Sequence, residues 1–421
     1  MNHDPTPSTP SSAPSPTRRQ VLAAAAGTAA TLAAAKLGSA QPATQPATRP
    51  RAVPPEMPAV GKASKPIRIL ILGGTGFIGP HQVQYARARG HKVTIANRGR
   101  SRPEMFEGMD VEHLEYDRDQ DPAALREAVA AGQKWDLVID NVGYLPKHTQ
   151  AACEALEGAC GHYAFVSSIS VYENRGEGPT EDSPLQQMTD EEAAGATMQD
   201  VGKWYGALKV KCEQTAARLM PGRASLVRPG FIVGWGDPTD RFTYWPARVL
   251  MEERCGGRMI VPGTREEPAP IQVIDVRDLA QFIVMIGEED KVGTYNLVGP
   301  PEQLPKVVDA AKRHSGAKTE FAFVPMQFLM DNNVAMGAEM PIIIPPQGDY
   351  AGFSKTSNAA AVAAGLKPRP IEETTAATID WWKTLTPQRR ALIESERSPA
   401  MKPAKEQALL DKWAKEGQKS A

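Results

Sequence analysis

The sequence is poor in the residues that build metal sites and disulfide frameworks. It has 4 cysteines and 7 histidines in 421 residues. Cys153, Cys160, Cys212 and Cys255 form no C-x-x-C pair and no Cys/His cluster, so neither a zinc site nor a disulfide scaffold is expected. The four read as small buried apolar residues. An excess of charge of one sign is lacking too. The formal net charge is −1, which implies no polyanionic partner such as a nucleic acid. A long hydrophobic run is also missing: the Ala-rich stretch from Val21 to Ala35 is too short and too weakly apolar for a confident membrane span. What remains is 41% hydrophobic and 23% charged, the balance of a soluble globular chain. Its length suits one large α/β domain with a smaller partner.

Proline, by contrast, is plentiful, with 37 residues, many of them before position 66. Residues 1–16 are rich in Pro, Ser and Thr. Arg18-Arg19, the Ala-rich run and the small residues Gly38-Ser39-Ala40 then follow in the order of a secretory signal. The paired arginines make residues 1–40 look like a twin-arginine signal, with an uncleaved membrane tether as the alternative. Residues 41–65 carry a QPAT repeat and read as a stiff Pro-rich linker. The expected location is therefore extracytoplasmic, in the periplasm.

The first folded element expected is a buried parallel strand over Ile67–Leu72, followed by Gly73-Gly74-Thr75-Gly76-Phe77-Ile78-Gly79 and a helix through Arg89. Glycines at 73, 76 and 79 between a strand and a helix suit a dinucleotide. Gly73 allows the tight turn, Gly76 the approach of a pyrophosphate, and Gly79 close packing of the helix. Thr75, Phe77 and Ile78 complete that loop. The second strand, Lys92–Ala96, lacks the acidic end typical of an NAD binder. Asn97 and Arg98 stand there instead, with Arg100 just after. An uncharged end beside guanidinium groups suits a 2′-phosphate, which favours NADP over NAD.

Downstream, Tyr163–Tyr172 reads as a strand with a serine-rich end, and Tyr205-Gly206-Ala207-Leu208-Lys209 as part of a helix. Tyr-x-x-x-Lys puts two side chains one turn apart on one face. The Lys209 ammonium, placed at the nicotinamide ribose as a coenzyme contact, is expected with an oxidised nicotinamide to lower the Tyr205 pKa, so that Tyr205 can exchange a proton with a substrate oxygen.

GGTGFIG, the serine-rich strand end and YGALK together resemble the extended or atypical branch of the short-chain dehydrogenase/reductase family, the NAD-dependent epimerases and dehydratases. The resemblance runs from about Pro66 to Pro300 and more weakly to Trp382. It implies an α/β fold: a Rossmann-type doubly wound parallel sheet over 66–235, with returning segments from the C-terminal half. A smaller C-terminal α/β substrate-binding lobe would span 236–385, and 386–421 would form a charged helical tail on the outside. It also implies that Asp117 contacts the adenine and that Ser168, three residues before Val171-Tyr172, is the hydroxyl partner of Tyr205. Ser167 and Ser170 are the runners-up. Arg228-Pro229 would be a structural hallmark. Asn141, at the end of the fourth strand, reads as a coenzyme contact or an Asx turn. Arg241, Tyr244 and Trp245 read as a wall of the substrate pocket, with Arg241 gripping an anion or pairing with Asp237 or Asp240. Asp275 and Asp278 read as helix caps.

The function expected is hydride transfer on a sugar or nucleotide-sugar type substrate, with NADP or NAD held tightly, since free coenzyme is scarce outside the cytoplasm. A carbonyl reductase or alcohol dehydrogenase is the alternative. A non-catalytic RNA- or dinucleotide-binding relative is a third, which the intact YGALK and the charge balance disfavour. The partner expected is a small molecule, not a nucleic acid or a metal; a homodimer stays open.

Overall fold

The structure is a computed structural model that describes residues 60–100, 102–395 and 398–419. The expected signal over 1–40 and most of the 41–65 linker lie outside the described residues.

The first strand, β1 (Arg68–Leu72), is apolar at four consecutive positions, all buried. A strand of that kind needs cover on both faces, which only the centre of a parallel sheet provides. Helix α1 (Gly79–Arg89), β2 (Lys92–Asn97), β3 (Val111–Glu115), α2 (Ala123–Ala130) and β4 (Trp135–Asp140) follow. Then come α3 (Pro146–Ala155), β5 (Cys160–Val166), α4 (Val201–Leu219), β6 (Ala224–Pro229), α5 (Val276–Glu288) and β7 (Thr294–Leu297). The seven strands form one sheet in the order β7-β6-β5-β4-β1-β2-β3. All its pairings are parallel.

Alternate residues of the strands feed two cores. Ile69, Ile71, Val93, Ile95, Leu137 and Ile139 face α1 and α5. Leu70, Leu72, Val138, Tyr163 and Phe165 lie on the other side with Ala152 of α3 and Cys212 of α4. The sheet is thus a doubly wound Rossmann-type α/β fold. Its chain order reverses between β1 and β4, where the carboxyl ends of the strands part and open a crevice.

A third core belongs to a smaller α/β lobe. It gathers helix Tyr244–Leu250, helix Leu304–Ser315, helix Ile371–Thr384 and a parallel strand pair, Arg258–Pro262 with Glu320–Val324. The segment expected to lie outside as a charged tail departs from that expectation. Helix Pro403–Lys419 buries Leu409 and Leu410 in this core. Its Glu406 is 1% exposed and accepts hydrogen bonds from Arg248 (3.0 Å), Arg254 (2.8 Å) and the Ile260 amide (3.1 Å). Two guanidinium groups from elsewhere in the lobe allow this carboxylate inside.

Asp275 caps α5, accepting from the Arg277 amide at 2.8 Å. Asp278 does not. It grips the Arg369 amide and guanidinium instead, at 2.6–2.9 Å. Of the cysteines, Cys153, Cys160 and Cys212 are buried and Cys255 is partly exposed.

Candidate active site

The glycine loop lies at the mouth of the crevice. Gly73 has φ +90°, and a Cβ there would stand 2.3 Å from Val142 Cγ1. A Cβ on Gly79 would stand 2.3 Å from the Gly74 carbonyl oxygen. These two glycines serve the chain's own packing. Gly76 differs: it is exposed, and its added Cβ would meet nothing closer than 3.7 Å. Open space therefore stands before the N-terminus of α1. Ile78 at the N-cap supplies no acceptor side chain, and the first turn holds no acid. Uncapped amides, a helix dipole and a glycine that yields room fit a pyrophosphate. Thr75 is buried and its carbonyl accepts from the Arg102 guanidinium, while Phe77 and Ile78 are half-buried.

At the end of β2, Asn97 Oδ1 accepts from the Gly99 amide at 2.8 Å and lies 3.2 Å from His113 Nε2. Its buried Nδ2 has no partner among the described residues, which leaves a donor for a ligand. Arg98 is exposed. Asp117, half-buried after β3, accepts from the Asp119 amide at 3.2 Å.

Asn141, partly exposed, pairs its amide reciprocally with Gln82 of α1, at 2.7 and 3.2 Å, and makes no Asx turn. The Asx-type turn is made one residue earlier. Asp140, 1% exposed, accepts from the amides of Val142 (2.8 Å) and Gly143 (3.0 Å) through Oδ1, and from the Tyr163 hydroxyl (2.8 Å) through Oδ2. Sequence reasoning missed Asp140. Its signal was an acid closing the apolar run Leu137–Ile139, three residues before a glycine.

Tyr205 and Lys209 both lie on α4, which is kinked at Trp204 (φ −114°, ψ 22°) just before Tyr205. Tyr205 is half-buried, and its phenol lies near enough to Ser168 for that side chain to act on its proton affinity. Ser168 also accepts from the Ser170 amide at 3.1 Å. Ser167 is buried, and its hydroxyl has no partner among the described residues.

Lys209 is 3% exposed and donates to the carbonyls of Gly143 (2.8 Å) and Val166 (2.7 Å). Its ammonium also lies 4.2 Å from the Phe165 ring centroid. Burial lowers its pKa. Burial pushes the Tyr205 phenol well above its ordinary value, and the neighbouring Tyr144 adds to this; the Ser168 hydrogen bond and the charge of Arg241 pull the other way. The Lys209 ammonium is turned to two backbone carbonyls.

On the substrate side, Tyr244 and Trp245 are also corrected. They are 4% and 0% exposed, pack edge to face at 5.1 Å, and Trp245 Nε1 donates to the Pro341 carbonyl at 2.8 Å. They begin a core helix. Arg241 is half-buried and makes neither ion pair considered for it. Asp240 is held by Arg389 at 2.8 Å, and Asp237 Oδ1 accepts from the Thr239 amide and hydroxyl. Arg228 is structural as expected, paired with Glu213 at 2.7 Å.

The sequence model of the NAD dependent epimerase/dehydratase family matches residues 69–298. A comparison with curated proteins gave no match. Among solved structures, the chain resembles the Bordetella bronchiseptica enzyme WbmG in complex with NAD and UDP, at 15% identity and a TM-score of 0.54, over 76% of this chain and 96% of that one. It resembles the UDP-Glc/GlcNAc 4-epimerase of Campylobacter jejuni at 15% identity and a TM-score of 0.54, over 76% and 99%. It also resembles a UDP-glucuronic acid 4-epimerase from Bacillus cereus in complex with NAD, at 14% identity and a TM-score of 0.53, over 75% and 96%. These likenesses establish the shared fold. With the family match spanning more than half of its length, the chain belongs to the NAD dependent epimerase/dehydratase family.

Proposed function

We propose that the chain is a nicotinamide-dependent epimerase- or dehydratase-type oxidoreductase acting on a sugar or nucleotide-sugar substrate, with Tyr205 as its proton donor and acceptor. One observation carries this reading: the Tyr205 phenol meets the Ser168 hydroxyl at the carboxyl end of β5, on a helix whose Lys209 is anchored to the loops after β4 and β5. The structural relatives, UDP-sugar 4-epimerases and an enzyme in complex with NAD and UDP, support the substrate class and the coenzyme.

The chain's own groups divide the work. The amides before α1 and the open face of Gly76 receive the pyrophosphate. Asn97 Nδ2 and Arg98 face the adenosine ribose, and this uncharged, basic end of β2 supports NADP over NAD. When bound, the nicotinamide supplies the carbon that accepts or returns hydride. Tyr205 holds or releases the proton of the substrate oxygen, and Ser168 orients that oxygen by a hydrogen bond. Lys209 is a positioning residue: it draws the Gly143 and Val166 carbonyls together and fixes the floor on which the substrate lies. The N-terminal Arg18-Arg19 pattern supports export, and an exported enzyme gains from a redox-neutral cycle that keeps its coenzyme.

The test has two parts. Mass spectrometry of small molecules released from the purified protein should find NADP or NAD; a protein that carries none and binds none when it is added would refute the reading. Tyr205→Phe should abolish turnover while coenzyme binding persists, and full activity in that variant would remove Tyr205 from its role.

A further inference from the structure

The turn that carries Ser168 is held through the backbone of one residue, Ser170. The Ser170 amide donates to Ser168 Oγ at 3.1 Å. The Ser170 carbonyl accepts from two side chains, Gln186 Nε2 at 2.7 Å and Arg175 Nη2 at 3.2 Å. A carbonyl oxygen has two lone pairs, so both are spent. Gly206 of α4 lies against the same group: a Cβ there would overlap the Gln186 carboxamide as well as the carbonyl. The Gln186 carboxamide therefore lies at the seam between the turn bearing Ser168 and the helix bearing Tyr205.

Gln186 is delivered to that seam by a short ladder. Residues 184–186 run antiparallel to 171–173. The Gln186 amide donates to the Val171 carbonyl at 2.8 Å, the Glu173 amide donates to the Pro184 carbonyl at 3.0 Å, and Tyr172 pairs with Leu185. Leu185 packs on a small core of Ile169, Val171, Tyr172, Val210 and Val298. Successive side chains of an extended segment point to opposite sides, so with Leu185 anchored in that core Gln186 faces out of it and meets the carbonyl. Arg175 is fixed from elsewhere. Its amide donates to the Asp349 carbonyl at 3.0 Å, and its carbonyl accepts from the Gly352 amide at 2.9 Å.

Ser168 Oγ accepts from the Ser170 amide, which leaves the hydroxyl hydrogen to be donated elsewhere. The Ser168 side chain in turn draws down the proton affinity of Tyr205 against the effect of burial. Freed of its side-chain donors, the Ser170 backbone can turn, and the hold on Ser168 Oγ goes with it.

We propose that Gln186, with Arg175 in support, is a positioning residue: by fixing the Ser170 carbonyl it holds the Ser168 hydroxyl in the orientation that serves Tyr205. Both side chains act through the Ser170 backbone. This rests on the reading of Ser168 and Tyr205 as the reacting pair, and it adds to that pair a residue that lies outside the glycine and Tyr-x-x-x-Lys motifs.

The test follows Tyr205 itself by NMR on the full chain and needs no turnover. Of the 9 tyrosines, isotope-labelled at Cζ, Tyr205 is the one whose resonance is lost in Tyr205→Phe. Ser168→Ala gives the full shift of that resonance on withdrawal of the hydroxyl. Gln186→Met, which keeps the length and removes the donor, should move it in the same direction by about half of that shift or more, and Arg175→Met by a smaller part. In the double variant Gln186→Met/Ser168→Ala the shift should equal that of Ser168→Ala alone, because a residue acting through Ser168 has nothing left to act on. An unmoved resonance in Gln186→Met, or a double variant whose shift is the sum of the single ones, overturns the proposal. So does a Ser168→Ala variant in which Tyr205 is unmoved. If Gln186→Met does not fold, Arg175→Met with Ser168→Ala gives the same cycle through the second donor, judged by the same outcomes. Uptake of NAD and NADP by the unaltered chain, followed by calorimetry, is read separately. A chain in which the cycle holds but both coenzymes are refused would sink the functional reading and leave Gln186 in its role. A chain that binds coenzyme but fails the cycle sinks only the role of Gln186.

Discussion

Gly206 lies so close to Ser170 that a Cβ on it would stand 2.1 Å from the Ser170 carbonyl oxygen. The contact seats helix α4 against the serine-rich turn after β5, one residue from Tyr205 on one side and two from Ser168 on the other. Gly206→Ala must push the two apart. Displacement of about 1 Å at a reacting pair can cost on the order of a hundredfold in rate. Steady-state kinetics on Gly206→Ala should show kcat reduced on that scale with coenzyme affinity retained; an unaltered kcat would mean that the helix seating does not govern the chemistry.

Burial holds the Tyr205 phenol protonated well past the ordinary tyrosine range. In the coenzyme-free protein, the tyrosinate absorbance difference between the unaltered chain and Tyr205→Phe should therefore stay flat through pH values where an exposed tyrosine ionises, at about 10. Adding the oxidised coenzyme places a positive ring nearby and should bring the titration to lower pH. A Tyr205 signal that appears near neutrality without coenzyme would contradict this assignment.

Glu288 closes α5 onto the first βαβ unit, pairing with Arg89 at 2.5 Å and His91 at 2.6 Å. Burial alone would raise its pKa, but the hydrogen bonds from Arg89 and His91 outweigh that and hold the carboxyl below its ordinary value. A depressed carboxyl stabilises the fold above its unfolded pKa, and the contribution is lost as pH falls through the folded value. Urea midpoints should thus drop on acidification below about pH 4.3 in the unaltered chain, and less steeply in Glu288→Gln. Equal slopes in the two proteins would show that the pair adds no pH-dependent stability.

The parts of the molecule that depend on neighbours in sequence were legible. β1 and the glycine loop follow from an apolar run and glycine spacing, and Tyr205 and Lys209 share a helix because i and i+4 share a face. Partners far along the chain were not. Lys209 reads as a cation beside a phenol until the Gly143 and Val166 carbonyls, 66 and 43 residues away, are seen to claim it. Tyr244 and Trp245 follow a polar loop and look like a pocket wall, yet they open a helix whose inner face is the lobe's core.

Helix Pro403–Lys419 carries a consequence for how the protein is made. Arg248, Arg254 and the Ile260 amide leave the ribosome well over a hundred residues before Glu406. Until that carboxylate arrives, Arg248 lacks the counter-ion it meets in the fold and the apolar surface for Leu409 and Leu410 stays open to water. The Rossmann sheet can close during synthesis, whereas the smaller lobe has to wait. Nascent chains halted before this helix should be those that chaperones retain and proteases cut.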